Sequence, residues 1–172
     1  DSVVRVIGSD VNISVREIVE ASSGAPGYSM PGGIEPGLEA SENFKPPALT
    51  YSNGVQAVEV EVDIGTGEVR FLNYVVVSDC GTLINPMIVD GQIAGGVVHG
   101  IGNALFEWMG YDDSGQPLTT NFGEYTMPTA TELIELDLQY QHSPTPLNPL
   151  GVKGVGETGT VPAAAAIVSA VE

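Results

Sequence analysis

The fold is decided by residues 77–96, which read Val77-Ser-Asp-Cys-Gly-Thr-Leu-Ile-Asn-Pro-Met-Ile-Val-Asp-Gly-Gln-Ile-Ala-Gly-Gly96. The stretch begins as the end of an apolar strand, which Asp79-Cys80-Gly81 breaks. Asn85 has the side chain of a helix N-cap, and Pro86 suits the first helical position, where an N–H would have no partner anyway. The stretch therefore predicts a strand, a tight loop and a helix that runs to about Met109.

Glycine is unusually frequent in this predicted helix, at positions 91, 95, 96, 100 and 102. Each glycine costs ~1 kcal/mol relative to alanine in a helix interior. A close approach of the backbone to another element or to a ligand is the usual compensation. We therefore expect the glycine face of the helix, with the Pro- and Gly-rich residues 23–48, to meet a partner surface. The apolar residues expected on that surface are Ile93, Val97, Ile101, Leu105 and Trp108.

Outward from this stretch, hydrophobic periodicity predicts a sheet. Val58, Val60, Val62 and Ile64 alternate with acidic residues, which is typical of a half-buried strand. A glycine turn at residues 63–68 and a returning strand from Val69 to Ser78 complete a predicted hairpin. Alternation over residues 132–142 predicts a further strand.

The sequence predicts a helix near each end of the chain. Ser14 and Glu17 are spaced as a capping box, which predicts a short helix to about Ala21. Residues 151–157 form a glycine loop, and a helix from Thr158 to Glu172 is expected to follow, with Thr160 as its candidate N-cap. The elements together predict one α+β domain over residues 1–172, with a mixed sheet and packed helices.

Composition excludes several classes of function. The formal charge is −17, from 22 acidic and five basic residues, so nucleic acid is not an expected partner. The longest uncharged stretch, from Gly91 to Phe106, is too short and too rich in glycine to predict a membrane span. Cys80 is the single cysteine and cannot form an intrachain disulfide, which favours the cytoplasm. The lack of an initiating Met and the stop inside a helical pattern predict a fragment of a longer chain.

The glycine loop is the strongest candidate site in the sequence. A phosphate-binding loop would need Ser or Thr after its Lys, but Gly154 follows Lys153. The glycines instead favour a backbone that presents Glu157 to a cavity near a helix N-terminus. The alternative from spacing alone is an ordinary turn with a capping Glu. His99 is interpreted as a packing histidine, Cys80 as an unreactive thiol, and the acidic turn at residues 112–113 as a solvated turn.

Three motifs resemble one protein family. Residues 77–96 look like the segment that leads into the glycine-rich helix of molybdenum hydroxylase large, molybdopterin-binding subunits. Residues 151–157, Gly-Val-Lys-Gly-Val-Gly-Glu, are similar to the catalytic-glutamate loop of that family. Residues 31–40, Pro-Gly-Gly-Ile-Glu-Pro-Gly-Leu-Glu-Ala, look like the bacterial members. The family includes xanthine dehydrogenase, aldehyde oxidase and aerobic carbon monoxide dehydrogenase.

This resemblance implies a cofactor and roles for particular residues. The chain would be the second half of the region that binds a molybdenum–pterin cofactor, either molybdopterin or its cytosine dinucleotide form. Glu157 would be the catalytic base, which takes the proton from the oxygen that attacks the substrate. The residues implied to face the cofactor are Gln92, Lys153, Gly154 and Gly156, and no residue is implied to ligate the metal.

The resemblance also implies partners and a reaction class. FAD and 2Fe–2S clusters would lie on other domains or subunits, and the upstream molybdenum-binding half would belong to the same subunit. The enzyme would hydroxylate an aldehyde, an N-heterocycle or a similar small molecule, or oxidise CO, with water as the oxygen source. The isolated chain is expected to be inactive.

Two alternatives stay open at the level of sequence. One is a noncatalytic binding or assembly module that retains the fold, which would be favoured if Glu157 were turned into the core. The other is a hydroxyaryl-CoA reductase of the same family, which shares the cofactor and differs in reaction direction.

Overall fold

The computed structural model describes residues 2–24, 26–27, 32–33 and 35–172. The chain divides into two compact units, Asp1–Lys45 and Pro46–Glu172. Part of the 31–40 motif and of the 23–48 segment therefore lies outside the described residues. The described residues of that segment form neither helix nor strand.

The first unit is a small hairpin followed by a helix. Strands β1 (Val3–Arg5) and β2 (Asn12–Ser14) pair antiparallel, and helix α1 spans Val15–Ser22. The predicted capping box is confirmed: the Glu17 N–H donates to Ser14 Oγ at 3.2 Å, and the Ser14 N–H donates to Glu17 Oε2 at 2.9 Å. Two N–H groups of the first turn are thereby satisfied, which fixes where α1 begins.

The second unit is built on a three-stranded sheet with β4 at its centre. Strands β3 (Asn53–Val62) and β4 (Val69–Asp79) form the predicted antiparallel hairpin, with a register shift at Glu59/Val60. Strand β5 (Asp137–Tyr140) pairs parallel to β4, which confirms the mixed sheet. Strand β5 is shorter than the strand predicted over residues 132–142. Glu132 instead closes a capping box on Thr129 and ends a 3₁₀ turn, Ala130–Glu132.

Helix α2 spans Pro86–Ile101 and continues as a π-helix over Gly102–Phe106. The N-cap is confirmed, since Asn85 Oδ1 accepts the Ile88 N–H at 3.3 Å. The prediction of one regular helix to Met109 is wrong. The Glu107 N–H bonds to Gly102 O at 2.7 Å, and the backbone then becomes extended. The Glu107 carboxylate accepts the Tyr125 hydroxyl at 2.6 Å, a contact that favours this ending.

Helix α3 spans Ala163–Val171 and starts later than the sequence predicts. Thr160 is not its N-cap, because no side chain caps α3 and Pro162 occupies the cap position. The Thr160 hydroxyl instead donates to Gly96 O of α2 at 3.0 Å. A tertiary contact thus replaces the local one, and residues 156–162 form a series of turns.

The core lies between the sheet and the helices. Its fully buried members include Val76 of β4, Ile93, Val97 and Ile101 of α2, and Ile167 of α3, each at most 1% exposed. The prediction that Ile93, Val97 and Ile101 form a partner surface is therefore wrong, because the chain covers them itself. Trp108 is 63% exposed. Among the described residues, no helix is long and apolar enough to cross a membrane.

The glycines of α2 fall into two groups by their surroundings. A Cβ on Gly100 would lie 2.3 Å from the Ala163 Cβ, and a Cβ on Gly96 would lie 3.0 Å from Gly159 Cα. A Cβ on Gly91 or Gly95 would meet no atom within 4 Å. Gly96 and Gly100 therefore allow α2 to approach the segment that leads into α3, whereas Gly91 and Gly95 border open space.

These surroundings predict opposite effects of alanine on stability. Gly100→Ala forces overpacking against Ala163 and is expected to lower the free energy of unfolding by ~1–3 kcal/mol. Gly91→Ala is the matched control, and it should raise that free energy by ~0.5–1 kcal/mol because it only removes backbone freedom from the unfolded chain. Denaturant unfolding of both variants measures the effect. Equal stability of the two variants would contradict the packing described above.

Candidate active site

The glycine loop lies against the break at the end of β4. The Lys153 N–H donates to Cys80 O at 2.8 Å, and the Thr82 N–H donates to Gly151 O at 3.1 Å. Gly81 has φ +73°, and a Cβ there would lie 2.1 Å from Gly151 O. Only glycine fits this contact. The motif segments at residues 77–96 and 151–157 are thus adjacent in the fold.

Glu157 lies where two clefts meet. It is exposed. One cleft, of about 370 Å³, lies between residues 50–54 and the glycine loop, with Gly154, Gly156 and Glu157 in its wall. The other, of about 350 Å³, lies between α2 and the same loop. Gly156 and Glu157 belong to both walls, so a group bound in either cleft would contact this end of the loop.

Gln92 joins α2 to the glycine loop. It is exposed on α2, and its Nε2 donates to Gly156 O at 3.0 Å. Gln92 and Glu157 line the second cleft together with Gly91 and Gly95. The structure therefore brings together Gln92, Gly156 and Glu157, which the sequence placed in one site. Gly154 lies on the first cleft.

Lys153 is placed differently from the other predicted site residues. Its Nζ lies 3.0 Å from Asp79 Oδ2, and the side chains of Lys153 and Asp79 are only 9% and 12% exposed. Lys153 is not among the residues that line the two clefts. Its ammonium is therefore bound by the protein itself, and a direct contact between Lys153 and a cofactor stays a prediction.

The residues that follow Glu157 are held by hydrogen bonds. Thr158 Oγ1 lies 2.9 Å from Ser52 Oγ, and Gly159 O accepts from Gln56 Nε2 at 2.8 Å. Gln56 Oε1 in turn accepts the Tyr74 hydroxyl at 2.6 Å. Burial raises the pKa of Tyr74 to about 12, so this hydroxyl keeps its proton across the physiological range. Hydrogen bonds to Thr158 and Gly159 therefore restrain the backbone next to Glu157.

His99 lines the candidate site, and the sequence interpretation did not place it there. It was interpreted as a packing histidine, but it is exposed and lines the second cleft. The reason is geometric, since residues seven apart lie on one face of a helix, and His99 follows Gln92 by two turns. Gly95, between them, lies on the same cleft. A stripe of Gln, Gly and His at helical spacing was the available signal.

The remaining polar candidates have structural roles. Cys80 is 4% exposed, and burial raises the pKa of its thiol, which agrees with an unreactive cysteine. Asp112 is exposed, and its Oδ1 accepts from Ser114 and Gln116, so the acidic turn is closed by its own hydrogen bonds. Among the described residues, no cluster of three or more His, Cys, Asp or Glu side chains could hold a metal ion.

Comparison with known proteins identifies the same family as the motifs. A family model described as "Molybdopterin cofactor-binding domain" matches residues 1–134. The glycine loop lies beyond that match but within the span of individual relatives. The gamma subunit of the 6-hydroxypseudooxynicotine dehydrogenase complex of Paenarthrobacter nicotinovorans is 40% identical over 169 residues, 98% of this chain and 21% of the relative.

Further relatives support the same family. The carbon monoxide dehydrogenase large chain of Hydrogenophaga pseudoflava is 40% identical over 147 residues, 83% of this chain and 18% of the relative. Quinoline 2-oxidoreductase from Pseudomonas putida 86 superposes with a TM-score of 0.83 at 40% identity, over 93% of this chain and 20% of that structure. The chain spans about a fifth of the length of these relatives.

The α+β architecture, the paired motif segments and these likenesses lead to one conclusion: the chain belongs to the family of molybdopterin cofactor-binding domains, as found in molybdenum hydroxylase large subunits.

Proposed function

We propose that this chain supplies one wall of a molybdenum–pterin site and the catalytic base of a molybdenum-dependent oxidoreductase. The reaction proposed is hydroxylation of an aldehyde, an N-heterocycle or a similar small molecule, or oxidation of CO, with water as the oxygen source. Family membership supports the cofactor, and the relatives named as dehydrogenases and as an oxidoreductase support the reaction class.

The observation that carries this proposal is the position of Glu157. Its side chain is exposed at the meeting point of two clefts, and Gln92 and Gly156 are joined by a hydrogen bond beside it. A carboxylate turned into the core would have favoured the noncatalytic module. The observed placement favours the catalytic role, because a general base must reach the proton that it removes.

The residues around the second cleft fit a bulky cofactor. Gly91 and Gly95 leave open space where side chains would otherwise project, so a ligand can approach the α2 backbone. The Gln92 amide has hydrogen-bonding capacity beyond its one donation to Gly156, and Gly154 and Gly156 allow close approach on the loop side. When bound, the cofactor would supply a metal centre that accepts two electrons from the substrate.

The work of this chain is then binding, orientation and proton transfer. Gln92, Gly154 and Gly156 would hold the cofactor, and a direct contact between Lys153 and the cofactor stays a prediction. The Glu157 carboxylate would accept the proton of the oxygen nucleophile that water supplies. The hydrogen bonds from Ser52 and Gln56 to the residues after Glu157 would keep the carboxylate oriented, which lowers the entropic cost of reaching the reactive geometry.

The whole enzyme would require further parts. The partners proposed are the upstream molybdenum-binding half of the same subunit, iron–sulfur and FAD domains or subunits, and a small-molecule substrate. A cytoplasmic location and either nucleotide form of the cofactor stay predictions. The hydroxyaryl-CoA reductase remains the alternative within the family, since it would use the same residues in the opposite direction.

Replacement of Glu157 tests the catalytic assignment. Glu157→Gln keeps the shape of the side chain and removes its basicity, so turnover in the intact enzyme is expected to fall at least ~10²-fold. Molybdenum content should be unchanged. Glu68→Gln, at the exposed tip of the β3–β4 hairpin, is the matched control and should retain full turnover. A molybdenum-replete Glu157→Gln enzyme with near-normal turnover would exclude Glu157 as the base.

Blocking the open side of α2 tests the cofactor assignment. Gly95→Leu places a side chain at the second cleft, and the added Cβ would meet no atom within 4 Å. Molybdenum content of the purified enzyme is expected to fall sharply, while the free energy of unfolding of the metal-free protein stays equal or rises, because leucine favours helix. Full metal loading of this variant would show that the cofactor does not contact this face.

The chain alone should show neither activity nor cofactor binding. It presents clefts that are open on one side, so a ligand held there would keep much of its surface in solvent, and tight ligand sites usually bury most of it. The measurement is elemental analysis of the 172-residue polypeptide after purification. Near-stoichiometric molybdenum in that polypeptide would refute the need for a second wall.

A further inference from the structure

The buried ion pair between Lys153 and Asp79 is unlike the other salt bridge of the described residues. Arg70 and Glu61 pair on the hairpin with side chains 67% and 59% exposed, where an ion pair contributes little. Lys153 and Asp79 are 9% and 12% exposed. Burial of two charges is unfavourable unless geometry and further hydrogen bonds compensate, so a buried pair is weak evidence for added stability.

Asp79 is fully engaged by three separate parts of the chain. Its Oδ1 accepts from the Gly81 N–H at 3.0 Å and from the Ser143 N–H at 3.1 Å, and its Oδ2 faces Lys153 Nζ. Burial raises the pKa of Asp79, but these donors outweigh it and hold the pKa well below the usual range. The carboxylate therefore gathers the end of β4, the segment after β5 and the glycine loop.

The loop needs such anchors because its own sequence does not define its path. Gly154 and Gly156 flank Val155, and a Cβ at either glycine would meet no atom within 4 Å. Val155 packs against the core, but glycine populates many backbone conformations, so propensity does not fix the residues on either side of it. Lys153 is anchored at one end, by its backbone to Cys80 and by its side chain to Asp79, and Gln92 holds Gly156 at the other.

We infer that Lys153 and Asp79 are positioning residues, which hold the glycine loop so that Glu157 reaches the shared edge of the two clefts. The inference rests on the proposed function, because it concerns the orientation of the proposed base. It assigns Lys153 a role through Glu157 instead of a direct contact between its ammonium and the cofactor. The Lys153 ammonium would hold the loop through its ion pair with Asp79, away from the clefts.

The test uses the intact enzyme and separates positioning from folding. Lys153→Met leaves Asp79 buried without its cation, and Asp79→Asn leaves Lys153 without its anion. The double variant removes both charges and buries no unpaired one, so it should fold even if either single variant does not. Arg70→Met, which breaks the exposed pair, is the matched control.

The expected pattern has three parts. The double variant should lose roughly 10- to 10²-fold in kcat, with KM and molybdenum content nearly unchanged, since displacement of a catalytic group by about 1 Å has effects of this order. In the metal-free protein, backbone amides of residues 154–160 should exchange faster with solvent. Lys153→Arg, which keeps the charge, should recover most of the turnover.

Opposite results overturn the inference. If the double variant keeps wild-type kcat and wild-type amide exchange over residues 154–160, the ion pair does not position the loop. A loss of molybdenum without faster exchange would instead indicate a direct cofactor contact by Lys153. Glu157→Gln, measured in parallel, separates the two proposals: full turnover of that variant refutes the base, whereas an inactive Glu157→Gln beside a fully active double variant refutes only the positioning pair.

Discussion

The fold and the site both depend on close backbone contact between α2 and the turn that follows Glu157. A Cβ on Gly159 would lie 2.3 Å from Ile93 O, and a Cβ on Gly96 would lie 3.0 Å from Gly159 Cα. Position 159 therefore requires glycine, and a side chain at position 96 would push the two backbones apart by a few tenths of an ångström. The contact places Gln92 beside the glycine loop and covers Ile93 and Val97, which makes one packing constraint responsible for the core and for the shared wall of the clefts.

The same helix uses glycine for two different purposes on two faces. Gly96 and Gly100 face residues 159–163, where the absence of a side chain lets the protein approach itself. Gly91 and Gly95 face the second cleft, where nothing of this chain occupies the space that a side chain would take. Each glycine destabilises a helix. Packing within the chain does not compensate for Gly91 and Gly95, and contact with a bound ligand is the simplest compensation.

Local patterns in the sequence predicted the local parts of the fold. The β3–β4 hairpin and the capping box at Ser14 follow from residues close together in the chain, and both are confirmed. The errors came where a distant contact outweighs a local preference. Thr160 bonds to Gly96, 64 residues away, instead of capping α3. The predicted helix end was also too late: the backbone becomes extended at Glu107, whose carboxylate accepts the hydroxyl of Tyr125, 18 residues away.

The site residues, too, could be predicted from the sequence only where local patterns or the family resemblance indicated them. The proximity of Gln92, Gly156 and Glu157 came from resemblance, because no periodicity relates a helix to a loop so far along the chain. His99 could have been found from its spacing to Gln92. The partner of Lys153 could not have been found from the sequence, because a buried ion pair depends on the path of both backbone segments. Asp79 was visible in the sequence only as the residue that breaks a strand.

The charge of the chain makes the placement of Lys153 informative. With five basic residues against 22 acidic ones, a cation beside the candidate base would find a carboxylate partner readily. If the Lys153 ammonium faced the clefts, Glu157 would be the nearest anion along the loop, and an ion pair would compete with the proton for the carboxylate. Asp79 binds the ammonium on the buried side of the loop, 3.0 Å away. On the roles proposed above, the cation fixes the backbone of the loop, and the Glu157 carboxylate stays unpaired with Lys153 at the clefts, as a base would need to be.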